Sequence, residues 1–181
     1  MVHSVTLEGK KVVLRPITMN DVNDEYVSWL NDDDVIGGLE TVVKPYTHEM
    51  LADYIAAVLT DENAYMFMVL DAKTGKSIGT TKLHNISKRH GTCNLGAIIG
   101  DKSFWGGGYG PDILSTVIDF AFTQLKIRKI TESVYSNNPR ALLMDLKLGF
   151  TVEGVLKKQI NINGEYVDKI MIALFADNWK K

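Results

Sequence analysis

The order of apolar and polar segments predicts an α+β (mixed α/β) domain with a mostly antiparallel central sheet and flanking helices. Three observations carry that expectation. Strand-like stretches cluster in the middle and at the end of the chain, two amphipathic helical stretches come early, and a glycine-rich turn leads from a strand into a third helix. A chain of 181 residues, 45% hydrophobic and 23% charged, is expected to fold as a single domain, 1–181.

Val12-Val13-Leu14, within Lys10–Ile17, reads as a first strand ended by Pro16. Thr18 can cap a helix to about Asn31, with Val22, Tyr26, Trp29 and Leu30 on one face. An acidic, glycine-containing loop follows from Asp32 to Glu40. A second helix is expected from Thr47 to Thr60, with Met50, Leu51, Tyr54, Ile55 and Val58 as its stripe. Then come three meander strands, Ala64–Asp71, Ser77–Ile86 and Thr92–Ile99, joined by Ala72-Lys73-Thr74-Gly75 and by Ser87–Gly91. Pro111 fits the first position of a helix to Leu125, with Asp112 at its positive end. Lys129–Tyr135 is a strand, Asn138 caps a helix over Pro139–Leu148, and Gly149 stops it. Val152–Asn161 and Tyr166–Leu174 close the chain as a hairpin around Asn163-Gly164.

Bulk properties remove several classes. A net charge of −2 does not suit a protein that grips nucleic-acid phosphates. No apolar run approaches the roughly 20 residues that span a bilayer, and Met1-Val2-His3-Ser4 has no signal-peptide character. Cys93 is the only cysteine and reads as a small core residue, so a cytoplasmic location is expected. His3, His48, His84 and His90 lack metal-ligand spacing, so no metal is expected.

Trp105-Gly106-Gly107-Gly108-Tyr109-Gly110 carries the most chemistry. A glycine turn between a strand and a helix N-terminus makes an anion site, because unpaired amides converge there and the helix dipole favours negative charge. Gly110-Pro111-Asp112 is not the Gly-Lys-Ser/Thr ending of a Walker A loop. The late position and the Gly106, Gly108, Gly110 spacing do not fit a dinucleotide fingerprint either.

Roughly thirty residues on lies Asn138-Pro139-Arg140-Ala141, running to Lys147-Leu148-Gly149-Phe150. Together the two motifs resemble the GNAT acetyltransferases, particularly the RimJ/RimL-like branch, and the likeness extends through Val152-Glu153-Gly154-Val155 to the closing hairpin. The resemblance implies a GNAT fold whose sheet splays between the fourth and fifth predicted strands and receives the pantetheine arm of acetyl-CoA there. It implies that main-chain groups of Ile98 and Ile99 bond that arm and that Gly106, Gly107, Gly108, Tyr109 and Gly110 hold the pyrophosphate. Trp105 stands where the family has Gln or Arg in that loop, and the resemblance implies that Asn138 and Lys147 belong to the cofactor site.

The implied activity is acetyl-CoA-dependent N-acetylation of a primary amine by direct transfer, without a covalent enzyme intermediate. A small-molecule acceptor, such as an amino sugar or polyamine, is the leading expectation. A protein N-terminal acetyltransferase of the ribosomal-protein type and a non-catalytic CoA-binding module are the alternatives, and a homodimer through an edge strand is compatible with the strand pattern.

Proton handling does not carry over from the family. Asn94 stands where many relatives place a glutamate base, and Asp145 where some place a tyrosine acid. Tyr135 and Ser136 are further catalytic candidates, whereas Glu132 reads as a solvated strand charge. Trp29, Asn31, Glu40 and His84 are expected at the acceptor, with the acids of the Asp32–Glu40 loop attracting a cation.

Overall fold

The computed structural model describes residues 5–37, 45–162 and 164–180. Along the chain run β1 (Leu7–Glu8), β2 (Val12–Pro16), α1 (Asp24–Asn31), α2 (Asp33–Ile36), α3 (His48–Thr60), β3 (Tyr65–Asp71), β4 (Ser77–Ser87) and β5 (Thr92–Ile99). After them come α4 (Tyr109–Thr123), β6 (Lys129–Tyr135), α5 (Pro139–Lys147), β7 (Thr151–Ile162) and β8 (Glu165–Phe175).

The strands form one eight-stranded sheet in the order β1-β2-β3-β4-β5-β6-β8-β7. Its pairings are antiparallel except that of β5 with β6, which α4 connects. Helices cover both faces. In β3 alternate side chains enter different cores: Met66 and Met68 pack with α1, α2 and α3, while Phe67 and Val69 pack with α4. Burial on both sides explains why Tyr65-Met66-Phe67-Met68-Val69-Leu70 is a continuous apolar run.

Four local expectations need correction. β1, two residues long, is too short to show alternation; it pairs with β2 through a turn in which Gly9 N–H donates to Val12 O at 2.8 Å. Thr18 does not cap α1. Asp21 accepts from Thr18 N–H at 2.8 Å and from Arg15 Nη1 at 2.9 Å, closing a tight turn, and Asn23 Oδ1 caps α1 through Tyr26 N–H at 2.9 Å. The acidic loop contains α2, because Asp32 Oδ1 accepts from Asp34 N–H and caps a helical turn there. α4 starts at Tyr109 rather than Pro111, since Gly108 at φ +80° is its N-cap; Pro111 still lies in the first turn, where no N–H is required. The closing hairpin turns where expected, with Gly164 at φ +91°, although Asn163 lies outside the described residues.

The end of β5 is fastened by a contact that only glycine permits. Gly100 N–H donates to Ile78 O at 2.9 Å, and a Cβ on Gly100 would fall inside the ring of buried Trp29. Gly100→Ala is therefore expected to overpack this junction and cost about 1–3 kcal/mol, measured by urea unfolding. Unchanged stability would show that Trp29 moves aside freely.

Candidate active site

β5 and β6 are joined over only three residue pairs, Thr92–Lys129, Cys93–Ile130 and Asn94–Thr131, and then part. Side chains secure the vertex. Asn94 Nδ2 donates to Thr131 Oγ1 at 2.6 Å, and Asn94 Oδ1 accepts from Asn85 Nδ2 at 2.9 Å. Each parted strand keeps a partner on its outer side, β5 with β4 as far as Gly79–Ile99 and β6 with β8 as far as Tyr135–Lys169. Between them opens a cleft of about 690 Å³.

The glycine loop stands at the open end of β5. Gly106 and Gly108 have φ of +79° and +80°, which L side chains rarely adopt. The loop is tied down by Trp105, whose Nε1 donates to Ile99 O at 2.8 Å, and by Lys11, whose Nζ donates to Gly107 O at 2.7 Å. The Trp105 bond engages the Ile99 carbonyl, one of the main-chain groups at the end of β5. Gly110 serves packing: a Cβ there would stand 3.0 Å from Met144 Sδ of α5. Tyr109 turns its hydroxyl away to Asp71 Oδ1 at 3.0 Å.

Two cations missed from the sequence flank this loop. Arg140 Nη2 lies 3.3 Å from where a Cβ on Gly106 would stand, and Lys11 Nζ 3.7 Å from the same point on Gly108. Asp112 does more than complement the dipole, since its carboxylate accepts from the N–H groups of Lys10, Lys11 and Val12 at 3.1, 2.7 and 3.2 Å. That clamp brings Lys11 to the loop from a hundred residues away. Positive-φ glycines, the first turn of α4 and two cations together suit a phosphate group.

The other later-motif residues divide. Asn138 Oδ1 accepts from Ala141 N–H at 3.1 Å and caps α5 beside Arg140. Lys147 is exposed in the last turn of α5, where its charge suits the helix C-terminus.

On the acceptor side the cleft wall includes Tyr26, Tyr46 and Tyr54 opposite His84, Asn94, Gly96 and Ile98. Gly96 has nothing within 4 Å of where a Cβ would be, so its lack of a side chain keeps the floor open. Lys82 Nζ sits 4.9 Å from the Tyr54 ring centroid. Tyr135 is buried and lines the cleft, whereas Ser136 Oγ accepts from Asp168 N–H at 3.0 Å and extends the β6–β8 contact.

Of the expected acceptor residues that are among the described ones, His84 alone lines the cleft. Trp29 belongs to the core under Gly100. Asn31 bridges Tyr46, donating to its carbonyl at 2.9 Å and accepting from its N–H at 2.8 Å, and so positions that ring. Glu40 lies outside the described residues. Asp32 and Asp34 pair with Lys102 at 2.7 and 3.0 Å rather than facing the cleft.

Glu132 is not a solvated strand charge. It lines the cleft with Oε2 buried and unpartnered, and burial followed by the nearby Asp145 carboxyl raises it well above the usual carboxylate range. Burial also pushes Asp145 up to about 7. The alternation of β6 carried the missed signal, since Glu132 shares the strand face of Ile130 and Val134, both buried.

Residues 11–151 match the family described as Acetyltransferase (GNAT) domain. The chain is 26% identical over 163 residues to the uncharacterized N-acetyltransferase YoaA of Bacillus subtilis (strain 168), covering 90% of this chain and 92% of that protein. It is 28% identical over 129 residues to spermidine N(1)-acetyltransferase of Escherichia coli (strain K12), covering 71% of this chain and 68% of the relative. The fold superposes with a TM-score of 0.85 on Vibrio cholerae spermidine N-acetyltransferase in complex with CoA and spermine, at 24% identity and with 93% and 97% of the two chains covered.

Burial, and then the Lys82 charge, lower the His84 pKa from 6.5, so the ring is neutral at pH 7. The stability linked to this group is present above pH 6.5 and is lost as the pH falls through the lowered native value. His84 ring carbons followed by NMR are expected to titrate with a midpoint below 6.5. A higher midpoint would mean that an anion faces the imidazole.

Proposed function

The chain belongs to the GNAT acetyltransferase family and is an N-acetyltransferase, and from that premise we propose that it acetylates a small-molecule amine of the polyamine class. Its acetyl donor is acetyl-CoA. Membership of the RimJ/RimL-like branch is supported by Asn138, Ala141, Lys147, Gly149 and Phe150 at that branch's spacing.

The parted strands suit the pantetheine arm. Beyond Asn94 and Thr131 the facing edges of β5 and β6 are unpaired with each other, and a chain carrying amides between them satisfies backbone groups otherwise left to water. The pyrophosphate then falls at the glycine loop, between the Arg140 and Lys11 cations and on the first amides of α4. Asn94 holds the vertex, since both ends of its amide are engaged.

The observation that carries the acceptor is the Lys82 ammonium seated on Tyr54. That contact shows a tyrosine of this wall holding an alkylammonium, and Tyr26 and Tyr46 line the same wall, so aromatic faces that Lys82 does not take are there for a substrate. His84, neutral at pH 7, can accept a hydrogen bond from the arriving amine. Enclosure of the reactants between aromatic wall and parted strands supplies the positioning that direct transfer needs.

Two outcomes test this. Acetyl-CoA is expected to raise the melting temperature of the wild type by mass action, and far less in Gly108→Asp, which adds like charge and a strained φ; equal shifts would remove the loop from the cofactor site. Free-thiol release should occur with spermidine or spermine, and Tyr54→Ala should raise the KM for the amine about 5- to 30-fold, the range of a cation–π contact of about 1–2 kcal/mol. Acetylation of peptide α-amines with every polyamine and amino sugar inert would reverse the assignment.

A further inference from the structure

We propose that Glu132 and Asp145 share one proton at the closed end of the cleft and that Glu132 delivers it to the thioester sulfur as the carbon–sulfur bond breaks. The inference rests on the acetyl-transfer reading above.

Glu132 follows Thr131, the last residue of β6 paired to β5, so it stands where the strands first part. It lies on the wall of the cleft, while Asp145, on α5, is only 1% exposed. Glu132 Oε2 and Asp145 Oδ1 are both buried without a hydrogen-bond partner, and among the described residues neither carboxyl has an ion pair. α5 packs on β6, which puts both buried carboxyls in one region, and two carboxylates there without a counter-ion cannot both ionise near neutral pH. The raised titration of both groups agrees with this.

Several other titratable groups face the same region. Cys93 on β5 is buried, with its thiol pushed up to about 12. His84 is neutral, and Lys82 is turned to Tyr54. Lys169 of β8 and Tyr135 of β6 line the cleft, and Arg140 and Lys147 stand exposed on α5.

In the reaction the amine nitrogen forms the bond to the thioester carbon, and the electrons of the carbon–sulfur bond leave on sulfur. Glu132 gives that sulfur its proton. The proton lost by the nitrogen on becoming an amide returns to the carboxyl pair, leaving the enzyme as it began. Asp145 acts through Glu132, as a positioning residue that keeps the proton on the pair.

The unliganded protein tests the shared proton and turnover tests its delivery. In wild type with 13C-labelled carboxyls, one group is expected to titrate above pH 6, and Asp145→Asn should bring Glu132 down. A raised native pKa contributes stability that is complete below the ordinary carboxylate range and is lost as the pH rises through the native value. Melting temperature should therefore fall from pH 5 toward pH 8, and do so less in either single variant. Glu132→Gln, which keeps the shape of the protonated acid, should lower kcat about 100-fold and flatten the alkaline limb of the pH–rate profile. The CoA-induced thermal shift should persist in that variant. Titration of both carboxyls below pH 5 would overturn the shared proton whatever the activity. Turnover of Glu132→Gln within about threefold of wild type, with an unchanged alkaline limb, would overturn delivery. A high-titrating pair in an enzyme that acetylates no amine would overturn delivery together with the acetyl-transfer reading, while leaving the shared proton in place.

Discussion

The architecture depends on two parallel strands being held together at one end and kept apart at the other. Three residue pairs join β5 to β6, and the Asn94–Thr131 bond marks where they stop. The opening survives because neither strand is orphaned. β4 and β8 bind the outer edges of β5 and β6 along their length, so the cost of parting falls only on the inner edges. The Trp105 indole on Ile99 O and the bond from Gly100 to Ile78 fix the far end of β5. The gap is therefore a built feature of the sheet, and it selects an occupant able to exchange hydrogen bonds with backbone.

Charge is distributed to match. At the glycine loop, cations and helix amides face the same region, while Asp112, the acid of the first turn, is occupied by three backbone N–H groups. Around the end of β5, Lys76 pairs with Asp101 and Lys102 with Asp32 and Asp34. Such exposed pairs add little stability, typically below about 1 kcal/mol, but they hold loops near the cleft in one arrangement. Glu132 and Asp145, by contrast, carry buried carboxyl oxygens with no hydrogen-bond partner.

Features set by local chemistry were legible in the sequence. Gly106 and Gly108 take positive φ, Asn138 caps α5, and the strand lengths agree within a few residues because apolar alternation and turn residues encode them directly. Features set by contacts between distant segments were not. Trp29 looks like a pocket wall until Gly100 is seen beneath it. Lys11 has no sequence reason to meet Gly107, and it arrives through the Asp112 clamp. Glu132 sits on the apolar face of β6 between Ile130 and Val134, a break in the alternation that the packing of α5 over β6 explains.

The strand order carries a consequence for how the chain assembles. β8 is inserted between β6 and β7, and it brings the fully buried Ile172, Ala173 and Leu174 with it. During synthesis β7 emerges before β8, the strand it pairs with among the described residues, and the outer edge of β6 stays bare until β8 arrives. Folding of this half of the sheet must wait for the ribosome to release nearly the whole domain, so the nascent chain passes through a stage with unpaired strand edges, the kind of species that chaperones hold.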